Sequence, residues 1–510
     1  MRKNITSLLA LAVVFSTAGL ASCKKDSGDI TIEFWTRDGT ADYYANIVAA
    51  FESAYPNITV NVEDNGDYGP LDQKISQGLT AGNLPDIAIT YPDYVAGYLK
   101  TAPNRVVDMT PYMNDSEIGF GRNDPEVEWD GEKVQVHTDA DDMVQAYIDE
   151  GRNFSTEGQF ELPLSKSTEM LFVNIPELTQ VAQANNMTYD DIREKLSTWE
   201  GLWEVVDMMK KALPEKYTGA PAESNNATAP LVYEDDTNFL ITLTQQLGIP
   251  YVDGSDPDNP VLFGLTDENV QAVTDLVKKL GALYDSGSFV TGSTSGMTNE
   301  WYATSGFADQ TSGMIITTTA GLHWLNNDKG PFFDIDVLPM PSSATDWVHD
   351  GKELPATAIP NAVISQGPGV TFFNLGDEDR IEAAWLFYKT MTSDFLNAQW
   401  VAAGDYAPVR ASVYDTDIFN SMFDLPEEET ENWEYEYKLR PAKKLMYDVI
   451  DTYDVDDRLF TTDVFPGSGQ VRTDFGNILP GTVLLDDNQS EEAIKGIIAT
   501  YFGQALENLQ

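Results

Sequence analysis

The sequence predicts an α/β protein large enough for two lobes. Three observations carry this. Strand-period and helix-period segments alternate from residue 30 onward. The 510-residue length exceeds what one hydrophobic core fills. With 42% hydrophobic and 11% aromatic residues, there is enough apolar material for two cores despite the charge. Ile30, Ile32 and Phe34 alternate with Thr31, Glu33 and Trp35, the period of a strand. Tyr43, Ile47, Val48 and Phe51 recur at helical spacing, and Pro56 closes that helix. Ile58, Val60 and Val62 form a second strand, and after the turn at Gly66 and Gly69 a helix carries Leu71, Ile75 and Leu79. Gly82 and Pro85 punctuate the entry to a third strand, Asp86 to Tyr91. Strand, helix and strand at this spacing dictate parallel pairing with right-handed crossovers. Ligands of open parallel sheets sit beyond the carboxyl ends of the strands. That rule selects two loops, Trp35-Thr36-Arg37-Asp38 and Tyr91-Pro92-Asp93-Tyr94.

The middle of the chain repeats the style. Ser197 and Glu200 have the spacing of a capping box before Leu202, Trp203, Val205, Val206 and Met209. Residues 313–321 read as a strand running into a small-residue turn, with His323 and Trp324 beyond. Val337 to Pro341 is extended and proline-punctuated, which suits a crossover better than a core strand. Ile381, Ala384, Trp385, Tyr388 and Met391 are helical in period. The acidic stretch from Asn114 to about Gln159 reads as an insertion with a short helix near Met143 to Ile148, and Leu425 to Tyr437 as a second acidic segment; solvated insertions come first, with a lid or a partner-facing surface as the alternatives.

Charge and composition narrow the function. With 31 Lys plus Arg against 82 Asp plus Glu, the formal charge is −51 and nucleic acid is excluded as a partner. One cysteine excludes an intramolecular disulfide, and three scattered histidines leave little for a metal site. No cofactor motif is present, and the chain has no Gly-x-x-x-x-Gly-Lys-Ser/Thr loop. Asp253 to Asn259 concentrates oxygen ligands, but its glycine is misplaced for a calcium loop and Pro257 interrupts it, so it reads as a polar turn. Arg2 and Lys3 precede an apolar run from Ile5 to Phe15 and then Leu20-Ala21-Ser22-Cys23. This reads as a secretory signal ending in a lipobox, with Cys23 the lipidated first residue and Lys24 to Gly28 a leash. The alternatives are an ordinary signal peptide or an N-terminal membrane anchor.

The order of motifs resembles the extracellular solute-binding lipoproteins of bacterial carbohydrate ABC importers, family 1 solute-binding proteins akin to maltose-binding protein. The marks are the lipobox, Ile32-Glu33-Phe34-Trp35, Gly82-Asn83-Leu84-Pro85-Asp86-Ile87, Leu162 to Glu169 leading to Asn174, Thr198-Trp199-Glu200, Tyr406-Ala407-Pro408-Val409-Arg410, and Pro466 to Arg472. Each is short; their order over nearly the whole mature chain is the specific signal, although the acidic segments exceed the usual member. The resemblance implies a periplasmic-binding-protein-like fold, two α/β lobes with a ligand cleft between them and two or three crossovers, expected near Leu162 to Ser165, Val337 to Pro341 and Tyr406 to Arg410. The expected organisation is a signal peptide at 1–22, a lipidated tether at 23–28, a first lobe from 29–163 with 337–408, and a second from 164–336 with 409–510. It also implies a non-enzymatic, monomeric, extracytoplasmic receptor that hands a carbohydrate to permease subunits and meets the membrane through its lipid.

A pyranose offers hydroxyls for charge-assisted hydrogen bonds and a C–H face for an aromatic ring. Trp35, Tyr91, Tyr94 and Trp324 offer faces; Asp38 and Asp93 offer acceptors, and Arg37 orients a carboxylate. Each has an ordinary alternative: core packing for the tryptophans, turn or helix capping for the aspartates. The resemblance adds Ser167 and Thr168, with a local turn as their alternative, Thr318, and Tyr406 and Arg472, with a hinge role alone as theirs; Glu169 is the weaker choice on the same strand, and Asp86 reads as structural. A secreted hydrolase and a polyamine receptor are the competing classes, the first demanding turnover and the second a steep salt dependence.

Overall fold

The computed structural model describes residues 29–37, 41–218, 228–249, 251–262, 266–295, 303–325, 332–423, 433–453, 458–485 and 488–509. The signal segment, Cys23, Asp38 and residues 424–432 of the second acidic segment lie outside them.

The first sheet is built as the periodicity requires. Strand β1 (Ile30–Thr36) lies between β2 (Ile58–Asp64) and β3 (Ile87–Thr90), parallel to both, with helices α1 (Ala41–Ala54) and α2 (Tyr68–Ala81) as the crossovers and α3 (Pro92–Thr101) after β3. The strand Gly369–Phe372 adds antiparallel to β3, and Leu162–Pro163 completes the five-stranded sheet. Phe34 meets Tyr44 of α1 at 5.0 Å and Phe387 at 5.5 Å, both edge-on, so helix Glu378–Met391 seals this core. Asp86 is structural: it accepts the Glu33 amide at 2.7 Å and is held by Arg380 Nε at 2.8 Å, tying β1 to that helix.

The second sheet has seven strands, centred on the wholly buried strand Ser167–Asn174. Leu231–Tyr233, Phe289–Thr291 and Met314–Thr318 run parallel to one another, so their carboxyl ends share an edge. Thr198 caps the helix Trp199–Ala212, accepting the Gly201 amide at 3.2 Å, while Ser197 donates to the Glu194 carbonyl; the capping position is one residue later than the sequence suggests.

One expected crossover is elsewhere. Ile335–Leu338 pairs antiparallel with Ser167–Asn174, and Val337 is fully buried in the second core. A strand buried on both faces tolerates a proline only past its end, which is where Pro339 falls. The chain returns to the first sheet at 366–369, between the strands Val363–Gln366 and Gly369–Phe372. Residues 337–366 therefore belong with the second sheet, not the first.

The acidic stretch 114–159 is likewise not a solvated insertion. Phe120, Val127, Val136, Met143, Tyr147 and Ile148 are buried in the first core, and Glu126–Trp129 and Glu132–Gln135 form a hairpin. Two buried cations bind it down. Lys389 Nζ donates to the carbonyls of Gly119 (3.2 Å) and Arg122 (2.5 Å) and pairs with Asp124 at 3.2 Å, while Arg410 donates to the Asp139 carbonyl at 2.7 Å. Removing one partner of a buried ion pair strands the other. Lys389→Ala is expected to cost about 3 kcal/mol or more, read as a lower urea midpoint with unchanged slope.

Candidate ligand-binding cleft

Side chains from both lobes meet: Tyr91 and Asp93, beyond the end of β3, act on Arg472 of the second lobe, and Asp93 lies against Gly469. From the first lobe come Arg37 at the end of β1, Tyr68 at the start of α2, and Tyr91, Asp93 and Tyr94 around the start of α3. The Arg37 guanidinium lies 5.3 Å from the Tyr68 ring centre and hydrogen-bonds Tyr406, which reaches in from the third crossover. The Tyr68 and Tyr91 rings meet edge-on at 4.8 Å and their hydroxyls are hydrogen-bonded; Tyr94 follows at 6.0 Å from Tyr91. Tyr406 stacks on Trp400 at 6.1 Å and 9°, and Trp400 on Tyr44 at 5.0 Å, so the aromatic wall continues into the first core.

The second lobe contributes a buried polar network. Arg472, on helix Ser468–Gly476, donates to Asn238 Oδ1. Asn238 Nδ2 donates in turn to Glu169 Oε1 and to Gln366 Oε1, each at 3.1 Å, and Tyr233 donates its hydroxyl to Glu169 Oε2. Burial pushes the Glu169 carboxyl up to about 8, with Asp235 adding to the rise and the Tyr233 and Asn238 hydrogen bonds opposing it. Burial also pushes Asp93 up to about 6, against the pull of Arg472 and of the amides at the start of α3.

The structure brings Arg37, Tyr91, Asp93, Tyr94, Tyr406 and Arg472 together. Trp324 stands beside them: it is 65% exposed, packs against His323 at 4.5 Å, and His323 lies 3.4 Å from Asp405, the neighbour of Tyr406. Thr318 ends its strand opposite Glu169 and is half-buried. Trp35 is not in this group. It is buried in the first core beneath Lys74, whose Nζ lies 3.8 Å from its ring centre. Phe34 and Trp35 point to opposite faces of β1 and both are buried, so this central strand is covered on each side and neither ring is left for a ligand. Ser167 and Thr168 are also spent elsewhere, their hydroxyls bonding the carbonyls of Gln366 and Ile364 on the adjoining strand.

Tyr68, Asn238 and Gln366 were not singled out by sequence. Tyr68 and Asn238 follow the carboxyl ends of β2 and of Leu231–Tyr233, so the strand-end rule applied to every strand finds them. Gln366 carries no such signal. Among the described residues no group of three or more His, Cys, Asp or Glu is placed to hold a metal ion, and no helix is long and apolar enough to cross a membrane. Asp253 to Asn259 folds as a turn whose aspartates accept local hydrogen bonds, Asp253 from Ser255 and Asp256 from Asp258 and Asn259.

Comparison with known proteins agrees with this geometry. Residues 46–427 match the family described as bacterial extracellular solute-binding protein, and the chain belongs to that family. No curated protein sequence matches it. Among solved structures, it is similar to the GacH receptor of Streptomyces glaucescens, solved unliganded and with acarbose, at 15% identity and a TM-score of 0.61, covering 94% of this chain and 99% of that one. UgpB of Mycobacterium tuberculosis in complex with glycerophosphocholine is similar at 16% identity and 0.61, again covering 94% and 99%. MalE, the sugar-binding protein of Xanthomonas citri, matches at 15% and 0.61, covering 94% and 97%. The two-lobed, maltose-binding-protein-like α/β fold expected from the sequence is thus the fold of the chain, and its family is one of extracytoplasmic binding proteins.

The network has a pH signature. Glu169 binds its proton more tightly in the folded chain than in the unfolded one, so its contribution to stability is full below the ordinary glutamate range and is lost as pH rises through about 8. Glu169→Gln is expected to flatten the decline of the melting temperature between pH 5 and about 8, measured by calorimetry across that range.

Proposed function

We propose that the chain is a lipid-anchored receptor, tethered through Cys23, that captures a sugar or oligosaccharide between its lobes and delivers it as a monomer to the permease of an ABC importer. The observation that carries this is the make-up of the cleft: aromatic faces from Tyr91, Tyr94 and Tyr406 set around the Arg37 and Arg472 guanidiniums, with the exposed Trp324 reached through His323 and Asp405. Aromatic faces take the C–H side of a pyranose and guanidiniums its ring and hydroxyl oxygens. The sugar-binding structures it is similar to support the same ligand class.

A thermal-shift screen of the purified chain against mono-, di- and oligosaccharides, glycerophosphocholine and polyamines tests the reading, because a ligand of the native state raises the melting temperature by mass action. A sugar-specific shift, insensitive to salt and with the sugar recovered intact, is expected. In that assay Arg37→Ala and Trp324→Ala each weaken binding by about tenfold or more, ~1.4 kcal/mol. A cleaved sugar transfers the site to a hydrolase, and a salt-sensitive polyamine shift to a polyamine receptor. The anchor is tested separately: Cys23→Ala is expected to release the protein from the membrane fraction without changing sugar affinity.

A further inference from the structure

The lobes also touch each other directly within the cleft, at Asp93. α3 starts at Pro92 in the first lobe, helix Ser468–Gly476 starts opposite it in the second, and their first turns meet. A Cβ added to Gly469 would lie 3.2 Å from Asp93 Cγ and closer still to Oδ2. Gly469 has no left-handed φ, so the glycine is there for the approach of a carboxylate and not for its conformation. The carboxylate thus sits against the amino-terminal turn of a nine-residue helix in the other lobe, the end at which backbone amides favour an anion. Ser468 in that turn is 4% exposed, and its hydroxyl has no partner among the described residues. Arg472, one turn on, acts on the same carboxylate from the same helix.

We propose that Asp93 is an interlobe latch, its carboxylate seating on the Gly469 turn only when the lobes close and holding the cleft shut without solute. Nothing in this depends on which solute the cleft takes. The latch is weak by construction, since burial opposes the ionised carboxylate and Asp72 of α2 opposes it as well, while Arg472 alone among the charged side chains named here favours it. A weak latch suits a receptor that must reopen. It is also tied to the hinge: Arg472 is held by Asn238, and Asn238 by Gln366 at the second crossover.

Hydrogen exchange on the solute-free full chain tests it, because each partner is read in the lobe that was not altered. Gly469→Ala, in the second lobe, is expected to speed amide exchange at 92–96 in the first by about tenfold, and Asp93→Ala to do the same at 467–472. The double variant is expected to match Asp93→Ala alone, because the added methyl then has room. Unchanged exchange at 92–96 in Gly469→Ala, or an equal further increase when Asp93 is already alanine, overturns the latch. Should Gly469→Ala not fold, Asp93→Ala decides: faster exchange at 467–472 supports the latch and unchanged exchange overturns it.

Discussion

Everything in this molecule depends on a narrow neck in which three segments of chain cross between two cores. Backbone groups in a buried neck need internal partners, and here the segments supply each other. The Leu164 and Ser165 amides both reach the Pro368 carbonyl at 3.3 Å, and the Ala407 amide donates to the Lys166 carbonyl at 2.7 Å. Gly367, at φ +141°, sits where a side chain would strike Lys166 Cα at 2.8 Å and the Ser165 carbonyl closer still. Only glycine meets both demands. Lys166 is buried among Glu150, with which it pairs, and the Gly367 carbonyl at 3.4 Å. One ammonium acts on two carboxyls: burial holds Glu161 well above the usual range, with Lys166 opposing that rise, and Thr90 donates its hydroxyl to Glu161 at 3.0 Å. A neck satisfied in this way moves by small changes of a few dihedrals and not by breaking contacts, which is what hinge closure requires.

The neck passes its position on to the cleft. Gln366 ends the strand that enters the second crossover, and its amide oxygen accepts from Asn238, which also orients Arg472 and satisfies Glu169. A fully satisfied polar network has few alternative arrangements, because each buried group loses a partner if another moves. Rotation at the neck therefore alters where the Arg472 guanidinium points, and the site is set by the hinge as much as by its own loops.

Much of this was legible in the sequence. The alternation from Ile30 to Ile89 reports a parallel sheet, because period and spacing are local properties. The loops after β1 and β3 contain Arg37, Tyr91 and Asp93 because strand ends are found by counting. What failed depended on contacts distant in sequence. Trp35 looks like a stacking platform until Lys74 and the surrounding core cover it. Val337 looks like a crossover because nothing local shows that it pairs with Phe172. The acidic stretch looks solvated by charge although its pattern says otherwise: Val127 and Val134 are register partners, and between their strands Asp130 (φ 51°) and Gly131 (φ 79°) form the two-residue turn that Asp-Gly favours. That hairpin was readable. The cations that anchor it, Lys389 and Arg410, lie far along the chain and were not.

The charge of −51 bears on the cleft less than its size suggests. At physiological ionic strength a surface charge is screened within about 8 Å, so a solute between the lobes experiences the groups that line them. Those include Arg37 and Arg472, set among tyrosine rings, while burial keeps the carboxyls of Glu169 and Asp93 protonated to a higher pH than usual. Cations therefore stand in the cleft of a chain that is strongly anionic overall. For the proposed sugar ligand, selection would rest on shape and donor placement more than on net charge.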